Sequence, residues 1–150
     1  MLKGYKYRIY PDNNQKLWRA KVFASCRWFY NYANNKTNET YKETKKGDGR
    51  NAIIKLLPKL KTEYEWLKEP PSQALQQVAL DLSSAFLNFF EGRAKFPRFK
   101  KRSNRQSMRL PQGCKLLDEA IKLRDILLHQ IKDGIGLPIL TNWFFCFVGW

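Results

Sequence analysis

Residues 72–91, SQALQQVALDLSSAFLNFFE, decide how the chain folds. Leu75, Val78, Ala79, Leu82, Ala85, Phe86 and Phe89 recur at spacings of three and four, which gathers them on one face of a helix over 73–91. Gln73, Gln76, Gln77, Asp81, Ser84 and Asn88 fall on the opposite face. Ser72 follows Pro70-Pro71 and reads as an N-cap. Glutamines early in a helix can meet base edges or phosphates, and they are also ordinary solvent-facing residues.

Beyond this helix the chain becomes strongly basic. Residues 95–109, KFPRFKKRSNRQSMR, carry seven cations (Lys95, Arg98, Lys100, Lys101, Arg102, Arg105, Arg109) and no acid. Phe96 and Phe99 lie among them around Pro97. A bare charge run is usually a solvated face. Cations interleaved with rings suit nucleic acid better, since cations displace counterions from phosphates and rings pack or stack. The whole chain has 28 Lys and Arg against 13 Asp and Glu, a formal charge of +15 over 150 residues, so an anionic partner is expected. Residues 115–150 contribute four bases and four acids, so the excess resides in 1–114. At 43% hydrophobic the chain is no disordered polyelectrolyte and has room for one core or two small lobes.

Upstream, residues 2–10 alternate like a strand until Pro11, and Asp12 or Asn13 offers a helix cap. Leu17, Ala20, Phe23, Cys26, Tyr30 and Ala33 predict the buried face of a helix, or two, over 13–46. Asn31, Asn34, Asn35 and Asn38 are weak helix formers within it. A loop is expected at 45–50, then a short amphipathic stretch over 51–60 that Pro58 bends or ends. Residues 106–110 suit a strand, 115–133 a helix, and the last sixteen residues neither.

Catalytic motifs are missing. There is no P-loop, dinucleotide fingerprint, GxSxG, HExxH or CxxC. The acids Glu39, Glu43, Asp48, Glu63, Glu65, Glu69, Asp81 and Glu91 are scattered, whereas two-metal chemistry needs converging carboxylates. Cys26, Cys114 and Cys146 show no metal spacing, and His129 stands alone. No apolar signal segment follows Leu2, and the apolar end from Ile135 is interrupted by Pro138, so no membrane partner is expected and the cytoplasm, in association with the nucleoid, is the expected location. A basic membrane-surface protein anchored by Trp143–Trp150 is the remaining alternative.

Four ordered blocks carry a resemblance: KGYKYRIYPDNNQ (3–15), CRWFYNYA (26–33), EWLKEPPSQALQQVALDLSSAFLNFF (65–90) and KFPRFKKRSNRQSMRLPQG (95–113). Together they resemble the N-terminal, helix-turn-helix part of the OrfB/TnpB family of insertion-sequence transposases, which are RNA-guided DNA endonucleases. The resemblance implies an α+β fold, with a helical lobe of three to four helices inserted into a partial wedge-type β-barrel. On this chain it maps a strand to 2–10, the lobe to 12–92 and a basic return segment to 93–113. It implies DNA at transposon ends and guide RNA as partners and no small-molecule substrate. Ser72, Gln73 and Gln76 take the positions that read a short flanking motif. Gln76 keeps the family's glutamine, while Ser72 and Gln73 depart from some members. The basic cations would hold guide RNA or heteroduplex backbone. The family's divalent-metal carboxylates and zinc element lie downstream of this region, so no cofactor and no cutting are expected of these residues. A non-catalytic regulator competing for transposon ends or guide RNA is the second reading. Residues 115–150 depart from the family pattern where the charge changes, and are expected to be unrelated, out-of-frame sequence.

Overall fold

The computed structural model describes residues 10–45, 47, 49–112, 114–116, 120–123, 126–129 and 146–149. The strand expected over 2–10 lies, but for Tyr10, outside them. Three α-helices and a short 3-10 helix come first: α1 (Asn13–Thr44), α2 (Arg50–Glu63), the 3-10 turn Glu65–Lys68, and α3 (Ser72–Phe90). Five short strands follow: β1 (Ser107–Leu110), β2 (Cys114–Leu116), β3 (Ala120–Leu123), β4 (Ile126–His129) and β5 (Cys146–Gly149).

Helix α1 is one uninterrupted helix of 32 residues, about 48 Å long at 1.5 Å per residue. Asp12 starts it with a capping box: Asp12 Oδ1 accepts from the Gln15 N–H at 2.8 Å, and Gln15 Oε1 accepts from the Asp12 N–H at 3.0 Å. Its buried face differs from the expected one. Leu17 is 61% exposed and Ala20 is exposed, while Gln15, Arg19, Val22, Phe29 and Thr37 join Phe23, Cys26, Tyr30 and Ala33 inside. The buried stripe is rotated because polar side chains whose stems pack well occupy part of it.

Helix α2 continues past Pro58 to Glu63, against the expectation that the proline would end it there. Pro58 is exposed, whereas Ile53, Leu57 and Leu60 on either side of it are buried. Burial on both flanks offsets the lost backbone hydrogen bond. The 3-10 turn seats Leu67 in the core, and Trp28 of α1 packs on it. The Trp28 ring stacks on Tyr32 at 5.2 Å and meets Tyr64 and Trp66 edge-on, both at 5.0 Å.

Helix α3 is the central element, packing against α1, α2 and β1. Its bounds match the periodicity, and Leu75, Val78, Ala79, Leu82 and Phe86 are buried as expected. Ser72 is not the N-cap. Pro71 holds that position with no side-chain cap, and the Ser72 Oγ accepts a hydrogen bond from Lys61 Nζ at 2.6 Å. A bond across to α2 thus replaces the local one.

Beyond α3 the chain enters strand β1, as the sequence suggests. Met108 and Leu110 of β1 are buried in the helical core. β1 pairs antiparallel with β5, Ser107 opposite Gly149 and Leu110 opposite Cys146, so a strand lies within the segment expected to form neither element. β2, β3 and β4 form an antiparallel meander where a helix was expected over 115–133. Periodicity does not separate short apolar runs of helix from those of strand, and Ala120–Leu123 and Ile126–His129 are of strand length. The helical lobe is therefore as expected, while the described strands form a pair and a meander and do not show a closed barrel.

Two substitutions test this packing. Leu82→Ala, at a fully buried site, is expected to cost about 2–5 kcal/mol in urea unfolding followed by far-UV circular dichroism. Asp12→Ala is expected to cost about 1 kcal/mol by loss of the cap.

Candidate nucleic-acid interface

Helix α1 fastens the basic segment along a single stripe. Arg27, Asn31 and Asn34 are spaced four and three apart, so they stand in one row on the helix. Asn34, fully buried, donates from Nδ2 to the Pro97 carbonyl at 3.2 Å. Asn31 bonds the Lys100 backbone in both directions: Nδ2 donates to its carbonyl at 3.0 Å and Oδ1 accepts its N–H at 2.8 Å. Arg27 donates to Gln106 Oε1 at 3.2 Å, and Gln106 Nε2 closes the loop by donating to the carbonyls of Arg102 at 3.0 Å and Asn104 at 2.8 Å. The segment 97–106 therefore runs antiparallel to α1, bound at three successive points.

This fastening fixes where the cations point. Lys95, Arg98, Lys100, Lys101, Arg102 and Arg105 are all exposed. Arg109 is half-buried and pairs with Asp81 of α3, so this cation serves the fold. Lys100 Nζ lies 4.2 Å from the centre of the Tyr30 ring. Although the residue as a whole is exposed, desolvation of its ammonium beside that ring lowers the Lys100 pKa, opposed by Cys26. Burial likewise pushes the Cys26 thiol up to about 12, opposed by Lys100, so the thiol stays protonated and unreactive at neutral pH.

Between α1, α3 and this loop lies a notch of about 50 Å³ bordered by Arg27, Gln77, Lys100, Lys101, Arg105 and Arg109, with Asp81 as its acid. Pockets for small molecules are some ~300–1,000 Å³, so the notch suits a phosphate group against a surface better than an enclosed substrate. It unites Lys100, Lys101, Arg105 and Arg109 of the expected site residues. Ser72, Gln73 and Gln76 do not line it. They sit on the first turns of α3, Ser72 and Gln76 exposed and Gln73 half-buried. Lys95, Arg98 and Arg102 also lie outside it. Residues that composition missed are Arg27, Asn31 and Asn34, whose i, i+4, i+7 spacing was the available signal. Among the described residues, no three His, Cys, Asp or Glu side chains gather to hold a metal ion. No described helix is long and apolar enough to cross a membrane.

One family model and several known proteins are similar to this chain. A family model for the helix-turn-helix domain of OrfB/IS605 proteins matches residues 1–46. An RNA-guided DNA endonuclease of Escherichia coli K12, described as putative and named InsQ, is 38% identical over 120 residues, covering 79% of this chain and 30% of its own length. A putative RNA-guided DNA endonuclease of Streptomyces pristinaespiralis is 35% identical over 102 residues, covering 67% and 25%. The virulence protein VsdF of Salmonella dublin is 31% identical over 114 residues, covering 68% of this chain and 95% of its own. The chain belongs to the OrfB/TnpB family. It carries that family's DNA-binding, helix-turn-helix part, and spans under a third of the two endonuclease relatives. In OrfB/TnpB terms, α1 occupies nearly all of the described part of the matched stretch and is also the element that fastens the basic segment.

The fastening is testable by proteolysis. Asn34→Ala strands the Pro97 carbonyl at a cost of about 1–3 kcal/mol. Combined with Asn31→Ala, it is expected to speed trypsin cleavage between Lys100 and Arg105 severalfold, with helix content unchanged.

Proposed function

We propose that this chain is the nucleic-acid-binding part of a transposon-encoded, RNA-guided endonuclease, and that it binds without cutting. The exposed start of α3, with Ser72, Gln73 and Gln76, meets the edges of a short duplex motif beside the transposon end. The basic segment, with Lys95, Arg98, Lys100, Lys101, Arg102 and Arg105, holds the sugar-phosphate backbone of guide RNA or heteroduplex. The basic return segment, 93–113, leads the chain from the helical lobe toward a wedge-type barrel. Cutting belongs to the family's metal-binding carboxylates, which the resemblance places downstream of these residues. All proposed contacts lie between residues 72 and 105, so the reading stands whatever the origin of residues 115–150.

One observation carries this reading. The basic segment is bound by α1 at Pro97, Lys100 and Gln106 and presents six exposed cations in a defined order. A solubilising loop has no need of three anchors. A specific observation also favours the second reading, a non-catalytic regulator competing for transposon ends or guide RNA. The Salmonella relative is matched over 95% of its length and is named a virulence protein, not an endonuclease.

The test is binding of the chain to duplex DNA and to RNA across a salt series. Log affinity is expected to fall linearly with log salt, with a slope near 0.9 per phosphate contacted on duplex DNA. Lys101→Ala with Arg102→Ala is expected to weaken all sequences alike and reduce the slope by about two. Gln76→Ala is expected to act on some duplex sequences and not others. Salt-independent binding, or none, overturns the reading.

A further inference from the structure

Rings gather where α3 ends. Phe90 is 59% exposed, Phe96 46% and Tyr41 43%, a large apolar area for one end of a helix. The rings are supported from within. Phe96 stands edge-on to Phe86 at 5.8 Å and to Phe89 at 5.1 Å, and Phe90 lies 5.4 Å from Phe89 and 6.4 Å from Tyr41. Phe86 is buried in the core, so the outer rings rest on a fixed base.

The turn after α3 brings Phe96 there. Gly92 takes φ 70°, a conformation that strains other residues, and its N–H donates to the Phe89 carbonyl at 3.0 Å. The N–H groups of Arg93 and Ala94 both donate to the Asn88 carbonyl, at 2.8 and 3.1 Å. The chain reverses, and Phe96 returns onto the helix it has just left. The next residue, Pro97, is the one that Asn34 secures. The position of Phe96 is thus fixed from both sides.

Charge selects the occupant. Lys95 adjoins Phe96 and Arg98 follows two residues later, both exposed, and no acid occurs from Lys95 to Arg109. Glu91, the acid at this end of α3, is paired with Arg93. An apolar protein segment gains nothing from such a rim. A polyanion with flat apolar faces matches both features.

We propose that Phe90 and Phe96, backed by Phe86 and Phe89 and bordered by Tyr41, form a stacking surface for unpaired nucleobases, which makes single-stranded nucleic acid the ligand of this end of the chain. The proposal rests on the nucleic-acid reading above and adds discrimination of single strand from duplex. A duplex presents its phosphates to the cations but keeps its base faces inside. A single strand offers both, so the rings act on it alone, at about tenfold in affinity for one stacked base.

The experiment uses the full chain with an unstructured oligothymidylate of about a dozen nucleotides and a duplex of equal length, near the site sizes of other single-strand binders. The variants are Phe90→Leu and Phe96→Leu, singly and together. Leucine keeps apolar bulk for packing and removes the aromatic face. Thermal melts check that the fold is kept, and Phe90→Leu, at the more exposed position, serves if the double variant unfolds. The expected result is about tenfold weaker single-strand binding, duplex binding within twofold, and loss of the fluorescence change of a base analogue in the strand. Equal loss on both ligands, or no loss on the single strand, overturns the proposal while leaving the nucleic-acid reading intact. Dimer formation through this surface without loss of single-strand binding overturns it too. If the unsubstituted chain binds neither ligand, the underlying reading falls and the proposal with it.

Discussion

The row of polar side chains on α1 is the constraint on which the basic surface depends. Arg27, Asn31 and Asn34 present donors and an acceptor at helical spacing, and the returning chain supplies Pro97, Lys100 and Gln106 to meet them. Six exposed cations within eleven residues repel one another, and an unsupported segment of that kind spreads through many conformations. Hydrogen bonds to its backbone hold it against that repulsion without neutralising its charge. The buried Asn34 amide matters most, because a carbonyl shielded from water has no substitute partner.

The helical core makes this row rigid. Helix α3 lies against both other helices and against β1, and residues from α1, α2, the 3-10 turn, α3 and β1 share one buried cluster. The Arg109–Asp81 pair ties the end of the basic segment to the same helix whose first turn presents Ser72, Gln73 and Gln76. The two surfaces proposed for nucleic acid are therefore joined through α3.

Much of this was legible beforehand, and the misses share a cause. The α3 pattern gave its bounds to within a residue because a continuous apolar stripe with a polar opposite face has one reading. Asp12 was one of two caps the sequence offered, and β1 begins one residue inside the expected strand. On α1, Gln15, Arg19, Asn34 and Thr37 lie inside while Leu17 lies outside, so a hydrophobic pattern rotates the face. Asn31 and Asn34 read as weak helix formers because propensity is local, whereas their worth lies in partners more than sixty residues away. Pro58 and the strands after Cys114 misled for the same reason: tertiary pairing overrode a local signal. The charge pattern showed that a basic surface existed and could not show which of its members the fold keeps for itself, as it does Arg109.

The clasp between α1 and the basic segment has an evolutionary corollary. Asn31 and Asn34 grip main-chain atoms of Lys100 and Pro97, leaving most of the segment's side chains out of the bargain. Lysine and arginine can therefore exchange at Arg98, Lys101 and Arg102, or drift to other polar residues, without shifting the path of the chain. Here the path and the contact chemistry are encoded by different residues, and the second can be rewritten while the first stands still.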